Sequence, residues 1–155
     1  MLIGVHRELK GLVGNNILNI GLLTSESTFQ KEVQASKIIS IPDGPIQPPV
    51  KIQHSAGYSF ARNPKIGRLA LQNAEYKCEL DSSHITFSSK STGKPFLEVH
   101  HLVPMEKQGD FPKVSLDVPD NIIALCPNCH RKIHLATEEE KRPLLTKLYN
   151  SRTIK

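Results

Sequence analysis

The sequence predicts an α+β fold for this chain of 155 residues, and three observations support it. Short apolar runs of strand length lie at residues 97–103 and 121–125. Signals that begin helices lie at residues 63–64 and 137–140. All three cysteines and five of the seven histidines fall in the second half of the chain. The length suits one ordinary domain, or a small domain with a partly structured arm.

Residues 1–57 are predicted to form an N-terminal segment of mixed structure and unknown role. The apolar run at residues 17–23 has the composition of a buried strand, residues 25–36 suit a short helix, and residues 37–41 suit a second strand. Turn-forming and proline-rich sequence follows, which a helix does not tolerate. We therefore place a boundary between roughly residues 42 and 58.

Residues 58–155 are predicted to form the second domain. Asn63 suits a helix cap and Pro64 suits the first helical position, which predicts a helix over residues 64–75. Residues 97–103 read as a strand that ends at Pro104. A loop is predicted to follow it, over residues 105–119.

Two further helices are predicted near the end of the chain. The apolar run at 121–125 leads into a cysteine pair, and a helix from Cys129 carries two histidines. Residues 137–140 then have the pattern of a capping box, which begins a last helix. The apolar stripe of that helix is expected to serve packing, and its members are Leu144, Leu145 and Leu148.

Composition and charge exclude several classes of protein. No apolar run approaches the roughly 20 residues that a bilayer span needs, so no membrane association is predicted. The start lacks the pattern of a signal peptide, and we expect a cytoplasmic protein. The 20 basic and 15 acidic residues give a net charge of +5. This excess is compatible with nucleic-acid binding and argues for it only weakly.

The three cysteines predict a structural zinc site. Cys126 and Cys129 have the spacing that lets one turn of chain present two thiolates to a tetrahedral ion. Cys78 is the third ligand, and Asp81 and His84 are the candidates for the fourth. We favour His84, because imidazole is the softer ligand. The competing interpretation is three buried cysteines without a metal.

The remaining histidines divide into two pairs. His130 and His134 stand four residues apart on the predicted helix, which places both rings on one face and near enough to share a metal. His100 and His101 are neighbours on a strand, so they point to opposite faces. One natural division makes His100 a metal ligand and His101 a base. Taken singly, each of these histidines is more simply a core or surface residue.

Two stretches together resemble the HNH nucleases. They are Glu98-Val99-His100-His101-Leu102-Val103-Pro104 and the run from Asp120 to His134, which includes Asn121-Ile122-Ile123-Ala124-Leu125 and Cys126-Pro127-Asn128-Cys129-His130. The similarity is greatest to the zinc-knuckle type of HNH domain in restriction endonucleases, including those that cut modified DNA. It covers roughly residues 58–150 and leaves residues 1–57 outside.

The resemblance implies a ββα-metal fold, in which a β-hairpin and a helix hold one catalytic divalent metal. By the same resemblance His101 is the general base, and His100, His130 and His134 are ligands of the catalytic metal. Asn121 is expected to fix the loop and orient the base. Many relatives have Asp in the place of His100, and some differ at one of the last two histidines.

The implied cofactors are a structural Zn²⁺ and a catalytic divalent ion. The first cysteine pair of many relatives is incomplete here, since Cys78 has no cysteine partner and His84 is expected to take its place. The catalytic ion stays open among Mg²⁺, Mn²⁺, Ni²⁺ and Zn²⁺. Basic side chains near the motifs are candidates for contact with the DNA backbone, although a solvated surface explains each equally well. They are Lys107, Arg131 and Lys132.

These observations predict a metal-dependent HNH endonuclease that hydrolyses phosphodiester bonds of double-stranded DNA, in restriction or another form of genome defence. The alternative is a non-catalytic zinc-containing module that binds DNA. A purely structural zinc domain for protein contacts would leave the clustered histidines unexplained. RNA remains open as a substrate. Symmetric cutting of both strands would favour a two-fold homodimer, although no dimerisation motif stands out.

Overall fold

The computed structural model describes residues 20–37, 40 and 46–153. The predicted α+β class is confirmed, since the described residues combine helices with two small antiparallel sheets. The helices are α1 (Ile20–Ala35), α2 (Pro64–Asn73), α3 (Pro127–Leu135) and α4 (Glu138–Thr153), and the strands are β1 (Lys51–His54), β2 (Gly57–Phe60), β3 (Glu98–His101) and β4 (Ile122–Leu125). Short 3-10 helices lie at Met105–Asp110 and Pro119–Asn121. In the described part of the chain, no helix is long and apolar enough to cross a membrane.

The pairing of β3 with β4 lies at the centre of the molecule. The two strands are antiparallel, with Val99 opposite Ala124 and His100 opposite Ile123. All four residues of β4 are fully buried, as a continuous apolar run predicts. Both strands fall within the runs that the sequence predicts, at 97–103 and 121–125.

Helix α2 begins where the sequence predicts. The side chain of Asn63 accepts a hydrogen bond from the backbone N–H of Lys65, and Pro64 occupies the first turn. The helix ends at Asn73, two residues before the predicted end, and Glu75 and Tyr76 then adopt positive φ angles of 52° and 56°. These left-handed conformations turn the chain toward the first cysteine.

The strand predicted for residues 17–23 is wrong in its described part. Residues 20–23 belong to α1, which continues through the helix predicted for residues 25–36. A short, mostly apolar run fits a buried strand and a buried helix equally well, so periodicity could not separate them. Of the strand predicted at residues 37–41, only Lys37 and Ser40 are described, and neither is in a strand. Residues 17–19 and the turn at 42–45 lie outside the described residues.

Helix α1 packs on the central sheet and supplies hydrogen bonds to its edge. Its Phe29 and Val33 belong to the buried core. The side-chain amide of Gln30 both donates to the carbonyl of Val99 (2.8 Å) and accepts from its N–H (2.9 Å). Gln34 donates to the carbonyl of Leu97 (2.8 Å). Two glutamines thus take the place of a neighbouring strand beside β3.

The edge of β4 is covered in a comparable way. The N–H of Glu79 donates to the carbonyl of Ala124 (2.9 Å), and the Glu79 carboxylate accepts from the N–H of Ala124 (3.2 Å). Arg152 of α4 donates to both carboxylate oxygens of Glu79, at 2.8 and 2.7 Å. The apolar stripe of α4 packs as predicted, with Leu148 buried and Leu144 and Leu145 against the core.

Strands β1 and β2 form a hairpin that the sequence patterns did not predict. It lies across the predicted boundary at residues 42–58, and the division of the chain after residue 57 stays a prediction. Lys51 pairs with Phe60 and His54 with Gly57, whose φ of 136° suits glycine. The strands are short and exposed on both faces, so no alternation of apolar and polar residues marked them.

The closest approach of α1 to α2 predicts a stability effect at Gly67. A Cβ added there would lie 2.8 Å from Cγ2 of Val33, which is fully buried. We expect Gly67→Ala to lower the free energy of unfolding by about 1–2 kcal/mol, because forced repacking outweighs the gain in helix propensity. Chemical denaturation followed by circular dichroism measures the change.

Gly109→Ala is the matched control, since nothing lies within 4 Å of its added Cβ. We expect it to stay within about 0.5 kcal/mol of the wild type. A Gly67→Ala protein as stable as the wild type would show that the two helices adjust freely at this contact.

Candidate metal centres and active site

The predicted zinc ligands lie together. One ligand atom from each of Cys78, His84, Cys126 and Cys129 falls within 4.8 Å of the others. Nδ1 of His84 lies 3.4 Å from Sγ of Cys129 and 3.6 Å from Sγ of Cys126. In a tetrahedral zinc site, a sulfur and a nitrogen ligand lie about 3.5 Å apart. The donor set and its spacing therefore fit a structural zinc ion.

Local structure positions each of these ligands. Cys126 precedes α3 as its cap, and its sulfur accepts a hydrogen bond from the N–H of Cys129 (3.4 Å). Asp81 lies outside the cluster, because one of its oxygens binds the N–H and hydroxyl of Ser83. Its other oxygen faces Nε2 of His84 at 3.6 Å, on the side of the ring away from the thiols. The structure thus brings His84, and not Asp81, to the three cysteines.

The thiols differ in their readiness to ionise. Burial raises the pKa of Cys78, but hydrogen bonds at Cys126, Asp81 and His84 outweigh that effect and bring its pKa down to about 7. Burial and the neighbouring sulfurs raise the pKa of Cys129 far above its usual range. Three thiols this close resist being charged together, and a divalent cation would remove that conflict.

A second cluster joins β3 to α3. Nε2 of His134 lies 3.1 Å from Nδ1 of His100 and 3.1 Å from Nε2 of His130. The same three residues offer ring nitrogens that all fall within 4.8 Å of one another. Nε2 of His134 carries at most one proton, so it cannot donate a hydrogen bond to both neighbouring nitrogens. Three imidazole lone pairs that point to one place instead suit a cation. The predicted ligands of the catalytic metal are thus brought together.

Glu98 orients this cluster from the same face of β3. Its carboxylate accepts a hydrogen bond from Nδ1 of His130 (2.7 Å), so the lone pair of Nε2 points toward His134. Glu98 lies within the motif at residues 98–104, but the sequence patterns assign it no role. A signal was present, since residues two apart on a strand share a face and Glu98 precedes His100 by two.

Two histidines of the cluster, His100 and His134, are held neutral. Burial lowers the pKa of His100 well below its usual range, and neighbouring histidine charges lower it further. Burial followed by the charge of His130 lowers the pKa of His134 to about 4. At neutral pH both rings therefore carry a free lone pair, which is the form that binds metals.

His101 points to the opposite face of β3, as strand alternation predicts. It is buried, and its Nε2 lies 2.9 Å from Oδ1 of Asp117, which is also buried. A carboxylate only accepts, so in the neutral form of the ring Nε2 carries the proton and Nδ1 has the lone pair. The other oxygen of Asp117 accepts from the N–H of Asn63 at 2.5 Å. The sequence analysis missed Asp117, because a single acid in a loop carries no spacing signal.

Asn121 ties together the segments on either side of this pair. Its Oδ1 accepts from the N–H of Val103 (2.8 Å), and its amide donates to the carbonyls of Val103 (3.0 Å) and Leu116 (2.8 Å). Val103 follows His101 by two residues and Leu116 precedes Asp117. The side chain thus fixes the backbone that carries both members of the pair, without touching the imidazole ring in the described bonds.

The predicted DNA-contact residues take no part in the hydrogen bonds of His101, Asp117 and Asn121. Arg131 and Lys132 are exposed on α3, the helix that carries His130 and His134, and Lys132 lies 3.6 Å from Glu140. Lys107 is half-exposed in the 3-10 helix that follows β3. Their contact with DNA stays a prediction.

Comparison with known proteins gives matches to nucleases. Residues 84–135 match the family model described as HNH endonuclease. The chain is 33% identical over 113 residues to the type IV methyl-directed restriction enzyme EcoKMcrA of Escherichia coli (strain K12), an alignment that covers 73% of the chain and 37% of that protein. The solved type IV phosphorothioation-dependent restriction endonuclease ScoMcrA is 29% identical, with a TM-score of 0.43, over 61% of this chain and 18% of its own. The chain thus spans little more than a third of the curated relative.

The thiol cluster predicts one tightly held zinc ion per chain. We expect His84→Ala to lose this zinc, since it removes a ligand atom. Asp81→Asn should retain it with about 10- to 100-fold weaker affinity, because Asp81 contacts only the far side of the His84 ring. Elemental analysis gives the zinc content, and competition with a chromogenic chelator gives the affinity. Loss of zinc in Asp81→Asn, but not in His84→Ala, would reverse the assignment.

Proposed function

Starting from the HNH endonuclease domain that residues 84–135 form, we propose that this protein is a metal-dependent nuclease that cleaves DNA in restriction. One observation carries the proposal. The two histidines that end β3 divide between its faces, so a triad of imidazoles lies on one side and a carboxylate-held imidazole on the other. Hydrolysis of a phosphodiester needs a base for the attacking water and stabilisation of the negative charge that develops, and a divalent cation can supply the second.

His101 is proposed as the general base. Its Nδ1 accepts a proton from the attacking water, while its Nε2–H stays hydrogen-bonded to the carboxylate of Asp117. The Asp117 carboxylate fixes this tautomer and stabilises the imidazolium that forms when the proton is taken. Asn121 holds both backbone segments in register, which keeps His101 aimed in one direction.

His100, His130 and His134 are proposed to hold the catalytic divalent ion, with Glu98 orienting His130. When bound, such an ion stabilises the negative charge that develops on the phosphate and on the leaving 3′ oxygen. The candidates are Mg²⁺, Mn²⁺, Ni²⁺ and Zn²⁺. The second ion, Zn²⁺ at the thiol cluster, is proposed to be structural, since four protein ligands leave no open position.

The proposed substrate is double-stranded DNA. The name of the Escherichia coli relative describes a methyl-directed enzyme, which makes cytosine-methylated DNA the first modified substrate to test. Since the chain covers 37% of that relative, its own preference for modified bases has to be measured directly.

A plasmid-cleavage assay tests the function. We expect the wild-type protein to nick or linearise supercoiled DNA, unmodified or cytosine-methylated, with at least one of the candidate metals and not with EDTA. His101→Ala should lower the rate by about 10²- to 10⁴-fold, because it removes the base. Zinc content and thermal unfolding confirm that the variant is folded. If both proteins retard DNA on a gel and neither cuts it with any metal, the protein is a DNA-binding module.

The hydrogen bond to Asp117 predicts a second effect. Asp117→Asn keeps the shape of the side chain but offers an amide in place of a carboxylate, which no longer favours the proton on Nε2. We expect kcat to fall on the order of a hundredfold with little change in DNA affinity. Asp120→Asn, at an exposed acid nearby, is the matched control and should cleave like the wild type. Equal activity of the two variants would remove Asp117 from the mechanism.

A further inference from the structure

The β1–β2 hairpin contributes nothing to either metal cluster or to the His101–Asp117 pair. We propose that this hairpin is a DNA-binding element, which lies in a groove of the duplex beside the site of cleavage. The inference rests on the proposed function, since it takes double-stranded DNA as the partner.

The exposure of the hairpin is its first unusual property. Every residue of β1 is exposed, and in β2 only Phe60 is half-buried. The exposed side chains include Ile52 (43%) and Tyr58 (52%). A two-stranded ribbon with solvent on both faces is marginally stable in water. Large apolar side chains displayed on such a ribbon indicate a surface that meets a partner.

Contacts between its strands give the hairpin a defined shape. Nε2 of His54 lies 2.6 Å from the hydroxyl of Ser59, and Nζ of Lys51 lies 3.6 Å above the centre of the Tyr58 ring. The Gln53 amide donates to the carbonyl of Gly57 (2.9 Å). These interactions pre-order the ribbon, which lowers the entropy cost of binding.

The charge around the hairpin selects a polyanion as the partner. Residues 44–74 contain four basic and no acidic residues, and so supply +4 of the net charge of +5. Lys51 lies on the hairpin, Arg62 follows the hairpin and pairs with Glu26, and Lys65 and Arg68 belong to α2. The adjoining 3-10 helix Met105–Asp110 adds Lys107 together with two acids, so it contributes no net positive charge beyond that of Lys51 on the hairpin. The major groove of DNA, about 12 Å wide, admits a two-stranded ribbon.

The residues that directly follow the hairpin line the proposed active site. Just after β2, the guanidinium of Arg62 pairs with Glu26 and lies 3.9 Å from the centre of the Phe29 ring. That ring is centred 6.5 Å from the ring of His101. The next residue, Asn63, donates its N–H to Asp117. A duplex with a phosphate beside His101 would therefore meet the hairpin.

Binding to a short fluorescent duplex tests the proposal. Affinity is measured by anisotropy at several salt concentrations, in a His101→Ala background that prevents cleavage. We expect Lys51→Ala with Tyr58→Ala to weaken binding by about tenfold or more, and to reduce the slope of log K against log salt by about 0.9. Protection of guanine N7 from dimethyl sulfate should be lost as well, because N7 lies in the major groove.

The matched control is Lys94→Ala with Phe87→Ala, an exposed lysine and an exposed aromatic from the loop after the first zinc ligands. It should bind DNA like the parent. Equal affinities of the two double variants, whether both are weakened or both unchanged, would overturn the proposal. Lys51→Glu is a second variant that keeps Tyr58, and it should weaken binding more than Lys51→Ala because it adds repulsion from phosphates.

A small substrate separates this proposal from the nuclease function. Bis(4-nitrophenyl) phosphate is a phosphodiester without a duplex, so it has no groove for the hairpin to enter. In the protein that keeps His101, Lys51→Ala with Tyr58→Ala should leave the hydrolysis of this small substrate unchanged. DNA cleavage at low DNA concentration should fall about tenfold. Absence of all hydrolysis would refute the nuclease function, and the anisotropy result would still decide the role of the hairpin. Equal loss on both substrates would overturn the hairpin proposal.

Discussion

The alternation of side chains along β3 is the constraint on which the candidate site depends. A strand sends successive side chains to opposite faces, so His100 joins α3 in the histidine cluster while His101 is buried against Asp117. Both imidazoles are fixed by one backbone, whose position in turn depends on pairing with the fully buried β4. The proposed cation site and the proposed base are thereby in separate environments, yet their residues are joined by a single peptide bond.

Helix α3 couples this site to the thiol cluster. Its cap residue is Cys126, its first turn presents Cys129, and its later turns present His130 and His134. A zinc ion shared with Cys78 would fix the first turn and thereby the direction in which the later histidines point. The helix is only nine residues long, which is too short to be stable by itself in water, so its order has to come from the core and from this attachment.

Spacing and chemistry predicted the local features, and the family resemblance is confirmed by the match at residues 84–135. The split of His100 from His101 followed from the period of a strand, and His84 followed from ligand softness. Asp117 escaped prediction because its partner lies 16 residues away across a loop. The amide of Gln30 reaches a strand 69 residues away, and no periodic pattern encodes such a contact. What local sequence cannot show is which polar side chains the tertiary fold brings together.

The glutamines on α1 have a consequence for assembly. A sheet of two strands has two free edges, and a free edge is a template on which a strand from another chain can add. Here Gln30 binds the N–H and the carbonyl of Val99, and Gln34 binds the carbonyl of Leu97, on one side. Glu79 binds the N–H and the carbonyl of Ala124 on the other. The central sheet is closed to strand addition, which protects it from aggregation and strand exchange. Two copies that cut opposite strands of a duplex would have to meet through a different surface.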